Sequence, residues 1–251
     1  MVKGVRPQWA KVKPFFLFYT FLMLTCVSNG ANAQSAISPS LVYDSFDSII
    51  GEQNMELYSG PLFQEENRNI KNTHPYFLER GFLNGDVVFD GQPYFDQNLK
   101  YHQELDQLLI TSKYSPTGLI VRLIEDKVQE FTINGHRFVR FPSTKQNGKI
   151  KGYLEVIETV NGNMLLKKYK KKAVESRKES KVVTEFEEHI DYVLYMQDKL
   201  LLANTKKHWS NIFNNKKQEL RDFYKQNRIT YRSDKDTFFK LLLNTLTNHA
   251  E

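Results

Sequence analysis

Cysteine is nearly missing from this chain. The only one, Cys26, lies in a stretch that the sequence marks for removal, so the remaining protein forms no disulfide and must be held by its core alone. Catalytic motifs are missing too. There is no Gly-x-Ser-x-Gly elbow, and no cysteine nucleophile outside that stretch. Neither a P-loop nor Gly-x-Gly-x-x-Gly occurs, which leaves nucleotide binding without support. The six histidines stand singly, with no His-x-His and no His-Glu-x-x-His, and no metal site is indicated. After residue 33 no apolar run approaches the roughly 20 residues that cross a bilayer as helix, so no transmembrane span is expected there. No internal repeat stands out.

What is present begins with the first 33 residues. Lys3, Arg6, Lys11 and Lys13 form a positive start without an acid, and Phe15 to Val27 is apolar or nearly so. Ala31-Asn32-Ala33 is a small-x-small cleavage site. This pattern predicts a signal peptide over 1–33, cut so that Gln34 begins the mature chain. The alternative of a lipid on Cys26 fits poorly, because Met23-Leu24-Thr25 puts no small residue before the cysteine. The predicted location is outside the cytoplasm, in the periplasm or at the outer membrane of a Gram-negative cell. Removing the leader takes away four bases and no acid, so a formal charge of +6 falls to about +2. The basic isoelectric point therefore belongs largely to the leader, and nucleic acid is not an expected partner. What remains is asymmetric. Residues 34–110 hold 12 acids against 4 bases, and residues 111–251 hold 27 bases against 17 acids. Such an imbalance points to surface interactions and leaves the fold undefined.

Along the mature chain, 34–40 reads as a polar lead-in, and 41–73 as mostly irregular with one early strand. The middle is punctuated by Asn84-Gly85, Asp90-Gly91, Asn134-Gly135, Asn147-Gly148 and Asn161-Gly162, dipeptides that accept the positive φ of type I′ hairpin turns. Between them lie short runs rich in Val, Ile, Tyr and Phe. Tyr153, Glu155, Ile157 and Thr159 alternate with Leu154, Val156, Glu158 and Val160, and the chain returns after Asn161-Gly162 as Asn163 to Tyr169. Tyr192 to Met196 and Leu200 to Ala203 form another pair. Local, evenly spaced strands predict an antiparallel meander over 41–203, as an open curved sheet or a partly closed barrel. From about 204 to 251 the spacing turns helical. Trp209, Ile212, Phe213 and then Leu220, Phe223, Tyr224 recur at i, i+3, i+4, and Ser233 with Asp236 resembles a capping box before Phe238 to Leu246. The fold class is thus mainly β with a short helical C-terminal region.

His74-Pro75-Tyr76-Phe77-Leu78, Gly85 to Tyr94, Leu99-Lys100-Tyr101 and Phe131 to Phe138 form a distinctive series, continued by Lys216 to Leu220 and Asn227 to Asp236. Through these segments residues 54–248 resemble a family of uncharacterised exported proteins common in the Bacteroidetes. The resemblance implies export and a β-rich fold, and implies no activity.

Three constellations bear on function. His74-Pro75-Tyr76-Phe77 reads as an aromatic rim facing a ligand or, as the favoured alternative, a plug at one end of the core. Glu187, His189 and Asp191 alternate on one face of a strand, where a solvated polar face is the expected reading over a metal site. The basic run is Lys167, Lys168, Lys170, Lys171 and Lys172, followed by Arg177, Lys178 and Lys181. Five lysines in six positions put charge on both faces of a strand, which predicts a projecting ribbon or a sheet edge. They are candidates for contact with an anionic envelope component or an acidic protein surface, against the alternative of an edge that lysines protect from aggregation. The predicted role is a non-catalytic binding or structural protein of the cell envelope, with no cofactor. The alternative is a small-ligand carrier or hydrolase whose site is assembled from separated residues.

Overall fold

The computed structural model describes residues 55–66, 68–112, 118–143, 150–178 and 181–248, all within the compact unit Pro39–Glu251. Ten strands form one antiparallel sheet: β1 Leu83–Phe89, β2 Gln92–His102, β3 Gln107–Thr111, β4 Ile120–Arg122, β5 Val128–Ile133, β6 His136–Phe141, β7 Gly152–Val160, β8 Asn163–Lys178, β9 Lys181–Met196 and β10 Lys199–Leu202. Four helices follow: α1 Lys206–Ile212, α2 Lys217–Gln226, α3 Arg228–Ser233 and α4 Lys235–Asn248. The strand order is β10-β9-β8-β7-β6-β5-β1-β2-β3-β4, two meanders that grow in opposite directions from β1.

The turns follow from their dipeptides. Asp90-Gly91, Asn134-Gly135 and Asn161-Gly162 close the β1–β2, β5–β6 and β7–β8 hairpins, each with both residues at positive φ. Asn84-Gly85, expected as a turn, lies instead inside β1. A Cβ on Gly85 would fall 2.0 Å from the Thr132 carbonyl oxygen on β5, so the glycine is there for close approach of two strands. Asn147-Gly148 lies outside the described residues.

The connection from β4 to β5 shows how the sheet bends. On a flat sheet β4 and β5 would stand four strand spacings apart, roughly 19 Å. Only Leu123 to Lys127 joins them; the six steps from Arg122 to Val128 would span about 21 Å if fully extended, but a 3-10 turn over Glu125–Lys127, at roughly 2 Å per residue, brings the reach down to about 17 Å. The sheet therefore curls at this end without closing. Its inner face holds a core that includes Leu57, Phe77, Phe89, Tyr101, Phe131, Phe138, Tyr153 and Tyr169. Tyr76 and Phe77 are both buried, so His74-Pro75-Tyr76-Phe77 plugs the core.

The helices cover the same face further along. Leu165, Tyr192 and Leu194 of β8 and β9 pack with Trp209, Leu220, Phe238, Phe239 and Leu242. Trp209 donates its indole N–H to the Ala203 carbonyl at 2.7 Å, which fixes α1 to the end of β10. The N-cap of α4 is Asp234, whose carboxylate accepts from the Thr237 N–H at 3.0 Å and its hydroxyl at 2.6 Å. Ser233, expected to cap this helix, ends α3 instead, because the acid one residue later reaches the Thr237 amide.

β8 and β9 are much longer than their apolar runs predict. They pair rung by rung from Met164–Tyr195 to Lys178–Lys181. β7 pairs with β8 only as far as Lys167, so both strands run on past it as a two-stranded ribbon.

Candidate functional site

The basic run lies on β8 where the sheet becomes the ribbon, and most of it is turned to internal use. Lys167 is only 9% exposed and holds Asp236 of α4 at 2.8 Å. Lys168, 6% exposed, holds Asp106 at 2.6 Å and donates to the Tyr153 carbonyl at 3.2 Å. Burial pulls the Lys168 ammonium below its usual range, and Asp106 opposes that pull. Lys171 donates to the carbonyls of His74 and Tyr76 at 3.0 and 2.7 Å, and burial lowers its pKa as well. Lys170 is half exposed and reaches Asp191 at 2.8 Å, leaving Lys172 exposed.

The acids of β9 face these lysines. Lys168 stands opposite Asp191, Lys170 opposite His189, Lys171 opposite Glu188 and Lys172 opposite Glu187. Cross-strand pairs of opposite charge contribute roughly 0.2–1 kcal/mol each. The two runs singled out separately in the sequence are thus two sides of one ribbon. His189 lies 3.0 Å from Asp191. Asp191 is desolvated by burial, yet the hydrogen bonds from Lys170 and Asn204 hold it below the usual carboxylate range. Its oxygens are engaged, and among the described residues no group of three or more His, Cys, Asp or Glu is placed to hold a metal ion.

A polar seam lies between the curled core and the helical layer. On β8, Lys167 separates Leu165 of the helix-facing core from Tyr169 of the curled core. Glu155 on β7, 5% exposed, accepts from the Tyr169 hydroxyl at 2.6 Å, and its other oxygen lies 2.5 Å from His136 Nδ1. Asp236 accepts from Lys167 and from the Tyr192 hydroxyl. Lys167 also sits over the rings of Tyr169 and Tyr192, at 5.2 and 5.7 Å from their centroids. Burial first, and the neighbouring carboxylates second, push both tyrosine hydroxyls well above their ordinary range, so each is a donor at neutral pH. In a neutral ring whose Nδ1–H goes to the carboxylate, His136 Nε2 would be the acceptor, the arrangement a proton-transfer site needs. No serine, threonine or cysteine joins the network described by these bonds.

The sequence contained a signal for part of this seam: Glu155 interrupts an apolar alternation between Tyr153 and Ile157. His136, Asp106 and Asp236 carried none, because their partners are 19, 62 and 69 residues away.

A small open cleft lies elsewhere, lined by Phe63, Glu65, Arg68, His102, Glu104 and Phe186 among others. Its cation is already occupied. Arg68 forks onto both Glu104 oxygens at 3.0 and 2.9 Å, and its Nε reaches Glu66 at 2.6 Å. The predicted cleavage residues Ala31, Ala33 and Gln34, with Cys26, lie outside the described residues. No helix among those described is long and apolar enough to cross a membrane. Compared with protein families, with curated proteins and with solved structures, the chain matches none.

Proposed function

We propose that this protein is an exported, non-catalytic binding or structural protein of the cell envelope. The observation that carries the non-catalytic reading is how the charges in and beside the seam are used. Glu155, Asp106 and Asp236 each accept from side chains of other elements, and together they tie β7, β8, the β2–β3 turn and α4 to one another. Charges paired in this way hold layers in register. Export is supported by the positive start, the apolar run and Ala31-Asn32-Ala33. The partner expected for such a protein is an anionic envelope component or an acidic protein surface.

Mass spectrometry of the protein recovered from cells tests export. Gln34 at the N-terminus, possible cyclisation included, is the expected result; an intact Met1 or a lipid on Cys26 overturns the reading. The His136–Glu155 pair favours the second reading, a small-ligand carrier or hydrolase working at the seam. His136→Gln separates the two. Under the first reading the variant captures the same envelope components as the parent; under the second the parent binds or hydrolyses a small molecule from envelope extracts and the variant does not.

A further inference from the structure

Lys167, Lys168 and Lys170 have carboxylate partners, but another set of cations does not. Lys217, Arg221, Lys225, Arg228 and Arg232 follow one another at spacings of four, four, three and four along α2 and α3. These are the spacings that keep residues on one helical face. α2 ends and α3 begins at Asn227, whose N–H bonds to Phe223 O at 2.9 Å and whose own carbonyl accepts from the Tyr231 N–H at 3.0 Å, so the two helices follow one another directly. The neighbouring flank is fixed inward, with the rings of Phe223, Tyr224 and Tyr231 each packing on Phe238 of α4 at 4.8–5.3 Å between centroids. All five cations are exposed. None has a carboxylate within ion-pair distance among the described residues. Asp222, the nearest acid in sequence, accepts from Gln218 instead.

From Lys217 to Lys225 the α2 part of the row is roughly 12 Å long at 1.5 Å per residue, and Arg228 and Arg232 of α3 follow it in the chain. Beside it stands Ile229, 84% exposed, the most exposed large apolar side chain described. It adjoins Arg228, with Lys225 one turn before it and Arg232 one turn after.

From this surface we infer that the α2–α3 face docks on an anionic membrane surface. The guanidinium and ammonium groups take the lipid phosphates while Ile229 enters the boundary between headgroups and acyl chains. An acidic protein face would satisfy the cations but offers nothing to a lone isoleucine held out among them. The inference narrows the partner of the envelope reading above and rests on that reading only for which membrane is met.

The test is co-sedimentation of the protein, as the cell exports it, with vesicles containing phosphatidylglycerol or made of phosphatidylcholine alone. The parent binds the first and not the second, and binding falls steeply as salt rises. Arg221→Gln, Lys225→Gln and Arg228→Gln together weaken binding roughly a hundredfold, since each cation near an anionic surface is worth about a factor of five. Ile229→Ser weakens it several-fold without changing the salt dependence. Lys170→Gln with Lys172→Gln, on the ribbon, leaves it unchanged. Equal binding by the parent and the triple variant overturns the inference. So does retention on immobilised polyglutamate with none on vesicles. An intact Met1 would sink the export reading alone, because parent and variant are compared with the same N-terminus.

Discussion

At the scale of the residue, one kind of side chain has different fates within six positions. Lys167 and Lys168 are buried ion-pair partners, Lys171 clasps the plug segment by its carbonyls, and Lys172 meets solvent. Removing one partner of a buried pair leaves the other charge without compensation, which costs far more than losing an exposed charge. Asp106 keeps the Tyr101 hydroxyl at 2.6 Å and some solvent, so the loss at Lys168 is moderated. Lys168→Met is therefore expected to destabilise by about 2 kcal/mol or more, and Lys172→Met by less than about 0.5 kcal/mol. Urea denaturation of the two variants measures the difference, and equal midpoints would contradict the assignment. Sequence alone could not sort these lysines. Alternation says which face each occupies, but not that Asp106 and Asp236 wait there.

At the scale of the element, the ribbon depends on matching charge. Tyr169, Val183 and Phe186 are its buried apolar residues beyond β7, and the segment at Asn69–Lys71 pairs with β9 only near Thr184. Two adjacent rungs carry Lys opposite Glu, Lys171–Glu188 and Lys172–Glu187. Glu187→Lys places like charges across one rung and is expected to cost roughly 0.5–1 kcal/mol. Hydrogen exchange at ribbon amides should quicken in this variant while the β1–β5 amides hold. Adding Lys172→Glu restores the opposite pair and should return the exchange rates toward those of the parent. If the double variant exchanges as fast as the single one, the pairing contributes nothing. The ribbon's length was hidden in the sequence because charged residues break the apolar alternation by which a strand is recognised. The hairpins at Asp90-Gly91, Asn134-Gly135 and Asn161-Gly162 were legible because their positive φ is a local requirement of the turn itself.

At the scale of the whole molecule, stability carries a pH dependence set at the plugged end of the core. His102 is buried between Phe63 and Tyr76, with ring centroids 5.8 and 5.0 Å away, and its Nδ1 accepts from the Leu105 N–H at 3.2 Å. Burial chiefly, and the Arg68 guanidinium next, push its pKa down to about 4 from 6.5, against the pull of Glu65 and Glu66. The folded protein thus binds a proton at His102 less readily than the unfolded chain. The stability from this residue is complete above pH 6.5, declines as pH falls from about 6.5 to about 4, and is then lost. The gap corresponds to about 3 kcal/mol at most. Urea midpoints across this range should fall more for the parent than for His102→Gln. Parallel curves would show that His102 is not the cause.

The sequence by itself determined the β-rich class, three of the hairpin turns and the helical end, because each is fixed by contacts between near neighbours. The tertiary structure decided what the charges do. Lys167 and Lys168 found acids on other elements and became internal supports, while cations on α2 and α3, ordinary in the sequence, were left exposed without an ion pair among the described residues. A side chain's neighbours across 60 residues are set by topology, and periodicity carries no record of them.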